Sequence, residues 1–333
     1  MMIPFRKHAL MISLLGLFFC GLLSANDNKM VMSPIVDLVL NQQTRLEKTL
    51  DAYQDPNSSH IFIAAHRGGK EFDDEEGIPG NSIANIDNSL GKGFDLYESD
   101  IEILYDGTLV VFHDNFFEGL TNSEVTDDFL DNPTATLAYA KSLFLTYDNN
   151  GVSSERIPTL EEFLSAIKGK MMVKFDLKSG TFGSSVVQRI LDTAVNTGTT
   201  EQVLIRAGSN VLDIANDNGY DTEMIMRRFG SDPAPTVTDI NDLVANYDVR
   251  AISIPALGDA TSAIVQAANA AGLVVEVHES QCSSSLPPMD FDECVEQRET
   301  DWQTAIDLGV RQFHSFKPSL LKAYLEENSY REF

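Results

Sequence analysis

The sequence predicts an α/β fold, a TIM-type (β/α)8 barrel, and three observations predict it. From residue 61 onward, short apolar runs alternate with amphipathic stretches over more than 200 residues, as strands do when crossover helices join them. Polar residues able to do chemistry fall at the ends of those runs, where such a barrel carries its site. The composition is that of a folded domain: of 333 residues, 43% are hydrophobic and 22% charged. That mix excludes a disordered, collagenous or disulfide-scaffold chain.

Residues 1–25 read as a signal peptide. Arg6, Lys7 and His8 precede an apolar run over 9–23, and Leu23-Ser24-Ala25 leads into the polar Asn26-Asp27. A basic start, a short apolar core and small residues before a polar stretch mark a secretory leader. The run is short for a transmembrane helix, so no stable membrane span is expected after cleavage near Ala25. The mature chain is then periplasmic or secreted. An uncleaved anchor is the rival reading, and Phe18 and Phe19 speak against a lipoprotein site at Cys20. Residues 26–60 form an N-terminal helical segment, periodic over 34–53 and closed by Asp55-Pro56-Asn57-Ser58-Ser59.

Residues 61–333 make up the barrel domain. Its strand candidates are 61–66, 96–104, 108–113, 171–178, 202–206, 223–228, 251–255, 273–278 and 310–314. Amphipathic helical stretches at 82–90, 160–167, 185–196, 210–218 and 261–271 separate most of them. Nine candidates exceed the eight strands of a closed barrel. The second and third are joined only by Tyr105-Asp106-Gly107, too short for a crossover and typical of a hairpin. One of that pair is therefore accessory. Residues 115–156, rich in Asn, Thr and Asp, read as a small insertion after the third strand.

The charge limits the partners. Against 24 Lys and Arg stand 50 Asp and Glu, a net charge of −26. Such a surface repels phosphate backbones and anionic membranes, so no nucleic-acid partner is expected. A small-molecule ligand fits better, and the oligomeric state is not legible.

Strand phase then picks out the chemistry. In a strand, alternate residues share a face. Glu98 and Asp100 share one, as do Asp176 and Lys178. Carboxylates within strands this apolar are costly unless paired or bound to a cation. His66 closes the first strand and leads into Arg67-Gly68-Gly69; His113 closes the third and leads into Asp114. Together these positions supply three carboxylates, two imidazoles, one Arg and one Lys. Carboxylates without a Cys or His cluster favour a hard cation, Ca²⁺ or Mg²⁺. Two histidines can act as general acid and base near neutral pH. Glu276 and His278 share a face at another strand end and are either pocket-lining or a structural pair. Arg206, Arg227 and His314 carry no assignment. Phe116 and Phe117 either touch a lipid or cap a core, and Trp302 reads as part of a solvated helix face.

Six segments, in order, carry a family resemblance: Ala65-His66-Arg67-Gly68-Gly69, Pro79-Gly80-Asn81-Ser82, Tyr97-Glu98-Ser99-Asp100, Asp106-Gly107-Thr108-Leu109-Val110-Val111-Phe112-His113-Asp114, Ile157-Pro158-Thr159-Leu160-Glu161-Glu162 and Phe175-Asp176-Leu177-Lys178. The set resembles the glycerophosphodiester phosphodiesterases. The resemblance implies a TIM-type barrel, one divalent cation, and hydrolysis of glycerophosphodiesters to sn-glycerol 3-phosphate and an alcohol. It implies acid/base roles for His66 and His113, metal ligation by Glu98, Asp100 and Asp176, and phosphate contact by Arg67 and Lys178. The sequence departs from the family pattern in three places. Gly80 replaces a usual Glu, for which Glu75 or Glu76 could substitute. Asp176 is one carbon shorter than the usual Glu. The last strand ends in His314-Ser315 rather than Thr-Asp. Phe-Asp-Leu-Lys also resembles the venom phospholipase D branch of the same superfamily, which keeps a lipid-cleaving alternative. A third reading is an inactive barrel serving as a binding protein.

Removing the leader leaves Cys282 and Cys294, with 11 residues between them, in a compartment where disulfides persist. Their bridge would close the long loop after the strand at 273–278, worth on the order of 3 kcal/mol in the chain-entropy model. Two free, buried thiols are the alternative. Alkylation of the unreduced, denatured protein is expected to leave both cysteines unmodified by intact mass; modification of both rules the bridge out.

Overall fold

Strand β1 (Phe62–Ala65) opens a closed ring of eight parallel strands that contains β2 (Leu96–Ile103), β4 (Met172–Leu177), β5 (Val203–Ala207), β6 (Ile225–Arg228), β7 (Ala251–Ile254), β8 (Val274–His278) and β9 (Gln312–Ser315). The ring closes because β1 pairs with β9 on one side (Phe62 opposite Gln312) and with β2 on the other (Ala64 opposite Leu96). The computed structural model describes residues 43–69, 78–147, 151–178, 182–230, 233–254, 257–279 and 291–333. The leader expected over 1–25, the first part of the segment 26–60, Glu75, Glu76, Cys282 and the side chain of Cys294 lie outside the described residues.

The accessory strand of the hairpin is β3 (Leu109–Val111). It pairs with β2 alone and antiparallel, with Ile101 opposite Val111 and Ile103 opposite Leu109. The carboxyl end of β3 therefore runs back down β2 toward the barrel mouth, and the Phe112 N–H donates to Asp100 O at 3.1 Å. This corrects one step of the sequence reasoning. His113 reaches the mouth because its strand points inward, not because it closes a barrel strand.

Helices α1 (Arg45–Gln54), α2 (Ala84–Lys92), α3 (Leu137–Ala140), α4 (Leu160–Ile167), α5 (Ser184–Thr197), α6 (Ser209–Asp217), α7 (Val237–Asn246), α8 (Ser262–Ala270), α9 (Phe291–Leu308) and α10 (Pro318–Glu327) complete the described elements. Three begin with a capping box, Thr44–Glu47, Thr159–Glu162 and Thr236–Asp239. In each the side chains satisfy N–H groups that a helix start leaves unpaired. None of the helices among the described residues is long and apolar enough to cross a membrane.

Alternation along the strands makes two cores. Outward residues such as Ile63, Val173, Phe175 and Ile205 bury against the surrounding helices. Inward residues Phe62, Ala64, Leu96, Met172, Leu204 and Met226 form an apolar floor, which Leu46, Ala52 and Tyr53 of α1 cover from below. A third cluster lies in the insertion, where Phe117 and Phe129 pack with Phe112, Leu143 and Leu145. Phe117 is thus a core residue. Trp302 differs from the solvated face expected of it: it is 2% exposed, because its indole N–H donates to buried Glu279 at 2.9 Å and its ring lies against Tyr324.

Asp95, just before β2, ties the ends of the chain together. Its buried carboxylate accepts from Arg331 at 2.7 and 3.0 Å, from Arg45 at 3.0 Å and from the Ile63 N–H at 2.9 Å. Burial alone would raise its pKa; Arg331 and His60 outweigh that and hold it far below the usual carboxylate range. Asp95→Asn should cost about 3–5 kcal/mol in urea unfolding, since it strands a buried guanidinium. Because the folded pKa is depressed, this stability is present above pH ~4 and lost as pH falls. The same substitution should flatten the acid limb of the stability profile.

Candidate active site

Above the apolar floor the inward positions turn polar: Glu98 on β2, Lys174 and Asp176 on β4, Arg206 on β5, Ser253 on β7, Glu276 on β8, and Gln312 and His314 on β9. Charges enclosed this way must find partners. The Lys174 ammonium, 0% exposed, lies 3.1 Å from both oxygens of Glu276 and 2.8 Å from His314 Nδ1. Glu276 also accepts from Gln312 at 2.6 Å, and Gln312 accepts from the Tyr53 hydroxyl at 2.7 Å. Burial would raise the Glu276 pKa, but Lys174 and His278 hold it far down. Arg206 donates to Asp176 Oδ2 at 2.9 Å and to Ser253 Oγ at 2.8 Å. Burial pushes Asp176 up as well, and Lys174 and Arg206 reverse the shift.

The turn after β1 shapes the rim. Arg67, Gly68 and Gly69 all have positive φ, at 49°, 79° and 84°. A Cβ on Gly68 would lie 2.2 Å from the Tyr97 ring, so only glycine fits between this turn and β2. Asn85 and Ser89 of α2 donate to the carbonyls of the turn. The turn thereby aims the Arg67 N–H at Glu98 Oε2, 3.0 Å away. Asn81 also adopts positive φ, 57°, which asparagine tolerates. Its amide donates to Asp100 Oδ2 at 3.1 Å and accepts from Ser99 Oγ at 2.8 Å.

Each site residue expected from the sequence lies at this mouth. His66 packs beside Phe316 and His314, with ring centroids 4.4 and 5.4 Å away. Burial first, then the charges of Arg67 and His113, depress its pKa well below the ordinary histidine value. His113 is held through Nδ1 by Asp114. Lys178 pairs with Asp100 at 3.1 Å, and Arg67 Nε is 3.9 Å from the same carboxylate. Asp100 and Asp176 face each other across the β2–β4 register. Burial and the adjacent Asp100 raise the Glu98 carboxyl well above its usual range.

The donor atoms are grouped differently from the expected Glu98–Asp100–Asp176 set. Among the described residues, the trios whose ligand atoms lie within 4.8 Å of one another are His66, Glu98, His314 and Glu276, His278, His314. Glu98 belongs to the first, whereas Asp100 and Asp176 rest on Lys178 and Arg206. Sequence reasoning missed Lys174. The signal was available, since 174 has the same strand phase as 176 and 178.

A profile of the glycerophosphoryl diester phosphodiesterase family matches residues 66–281. A glycerophosphodiester phosphodiesterase from Caldanaerobacter subterraneus is 34% identical over 122 residues, which is 36% of this chain and 46% of that protein. The match thus spans about half the length of that relative. A Parabacteroides distasonis glycerophosphoryl diester phosphodiesterase structure superposes with a TM-score of 0.63 at 19% identity, covering 86% of this chain and 93% of the other. An Oleispira antarctica phosphodiesterase, solved with the product sn-glycerol-3-phosphate, gives a TM-score of 0.58 at 17% identity over 81% of this chain and 99% of the other. At these identities the superpositions speak for the fold.

Glu276→Gln should destabilise the protein by about 3–5 kcal/mol, because it leaves the buried Lys174 ammonium with only Asp176, 3.9 Å away, as counter-charge. The double change Lys174→Met, Glu276→Gln should recover much of that loss. Denaturant unfolding of the four proteins closes the cycle; additive costs would mean that the two groups are not coupled.

Proposed function

The chain belongs to the glycerophosphoryl diester phosphodiesterase family, and we propose that it hydrolyses glycerophosphodiesters to sn-glycerol 3-phosphate and an alcohol. The observation that carries this reading is the meeting, at one barrel mouth, of His66 and His113 with the cations Arg67 and Lys178 and the carboxylates Glu98, Asp100 and Asp176. On this reading Arg67 and Lys178 bind the phosphodiester. His66, kept neutral by burial and by Arg67, takes the proton of the glycerol 2-hydroxyl as its oxygen attacks phosphorus. His113, oriented through Nδ1 by Asp114, gives a proton to the departing alcohol as the P–O bond breaks. Water then opens the resulting cyclic phosphate with the two histidines in exchanged roles.

The residues present fit one divalent cation. Glu98 is a buried carboxyl beside a second carboxylate, and Asp176 Oδ1 is buried with no hydrogen-bond partner. Glu98, Asp100 and Asp176 would hold the ion, and an all-oxygen set suits calcium or magnesium. Once bound, it polarises a phosphoryl oxygen and lowers the pKa of the attacking hydroxyl. We place the reaction in the periplasm or outside the cell, on the strength of the expected leader.

The test is product identification after incubation with glycerophosphocholine and with a choline lipid, each with Ca²⁺ or Mg²⁺. sn-Glycerol 3-phosphate from the first is the expected result. Cleavage of the lipid alone would favour the phospholipase D-like alternative, and cleavage of neither would favour a binding protein. His66→Ala and His113→Ala should each lower kcat at least about 100-fold. Chelation should abolish turnover and added Ca²⁺ or Mg²⁺ restore it. The acid limb of the kcat/KM profile should lie below the ordinary histidine range, because His66 must shed its proton to act.

A further inference from the structure

His314 is the most enclosed imidazole of the mouth, 4% exposed, and its two nitrogens meet opposite circumstances. Nδ1 lies 2.8 Å from Lys174 Nζ. Nε2 is buried with no hydrogen-bond partner among the described residues, 3.8 Å from Glu98 Oε2, too far for a hydrogen bond.

Lys174 settles which nitrogen carries the proton. An ammonium offers three donors and no acceptor, and this one also donates to both oxygens of Glu276, 3.1 Å away. A donor this close to Nδ1 requires the lone pair of Nδ1. The doubly protonated ring is excluded, since its Nδ1–H would abut the ammonium hydrogens. A neutral imidazole protonated on one nitrogen only then carries its hydrogen on Nε2. That nitrogen shows the mouth an N–H rather than a lone pair, so it cannot ligate a cation although His314 belongs to both donor trios. A buried N–H without an acceptor is costly, and it stands beside Glu98 and His66, at the mouth where Arg67 and Lys178 bind the phosphodiester on the proposed reading.

We propose that His314, held by Lys174 as the Nε2–H tautomer, binds the substrate by donating a hydrogen bond to a phosphoryl oxygen, and is not a metal ligand. The acceptor's identity rests on the phosphodiesterase reading; the tautomer does not.

Isotope-edited histidine NMR of the whole chain, with His314→Gln used for assignment, should show His314 neutral and protonated at Nε2 near neutral pH. Protonation at Nδ1, or at both nitrogens, overturns the proposal. sn-Glycerol 3-phosphate should shift the Nε2–H resonance, and His314→Phe should weaken its binding about 10- to 100-fold, as expected for a hydrogen bond to a charged group. Ca²⁺ affinity of that variant, measured without substrate, should stay within about tenfold of wild type. Lost Ca²⁺ affinity with unchanged product affinity would make His314 a ligand and overturn the proposal. His314→Gln, whose amide can donate, should restore part of the product affinity and covers the case in which the Phe variant folds poorly. If the wild type cleaves no diester and binds no sn-glycerol 3-phosphate, the phosphodiesterase reading fails. Inorganic phosphate then tests the anion site alone, and an unmoved Nε2–H resonance overturns it.

Discussion

Lys174 holds an ammonium on the inward face of β4 at 0% exposure, and the polar half of the barrel is arranged around keeping it there. Glu276 neutralises it, Gln312 steadies Glu276, and the Tyr53 hydroxyl of α1 steadies Gln312. On the other side the ammonium faces His314 and Asp176, and Asp176 reaches Arg206 and Ser253. One connected network thus runs from the helix beneath the floor to the mouth. All but the half-buried Asp176 are buried, so each depends on the others for the electrostatic environment water would otherwise supply. The orientation of His314 is a by-product of solving that burial problem.

The mouth brings charges of both signs together on a strongly acidic chain. A chain of net charge −26 should repel an anionic ligand at long range, yet Arg67, Lys174, Lys178 and Arg206 gather at one opening. The distant acidic surface is screened within roughly 10 Å at ordinary ionic strength, whereas the enclosed cations are screened far less. Close to the opening a ligand therefore meets these cations individually rather than the charge of the whole chain. Such a balance favours small anions that can enter over polyanions that must lie along the surface.

Much of this was legible in the sequence because it is local. Strand phase placed Glu98, Asp100 and Asp176 on inward faces, Asp106-Gly107 marked the hairpin, and the amphipathic stretch 160–167 marked α4. What could not be read depends on partners far along the chain. Asp95 is explained by Arg331, 236 residues away, and Lys174 by Glu276, 102 residues away. Trp302 looked solvated because its helix carries many charges; its burial comes from Glu279 and Tyr324. The direction of β3 followed from that hairpin. Placing His113 at the carboxyl end of a barrel strand did not use it, so the sequence put His113 near the site by a route the fold does not use.

That route ties one histidine to a different body of structure from the rest. His66, Glu98, Asp176 and His314 stand on or directly beside strands of the closed ring, whereas His113 follows a three-residue strand hung on one edge of β2. Beyond β3 the chain passes through the insertion, whose apolar cluster is separate from the two barrel cores, and returns beside β3 where Val111 N meets Pro158 O. A lobe with its own small core can open without the ring opening. The mouth therefore draws its groups from two apolar clusters, one of the ring and one of the insertion. Local opening of the lobe would then carry His113 away while His66, Glu98, Asp176 and His314 stayed in register on the ring.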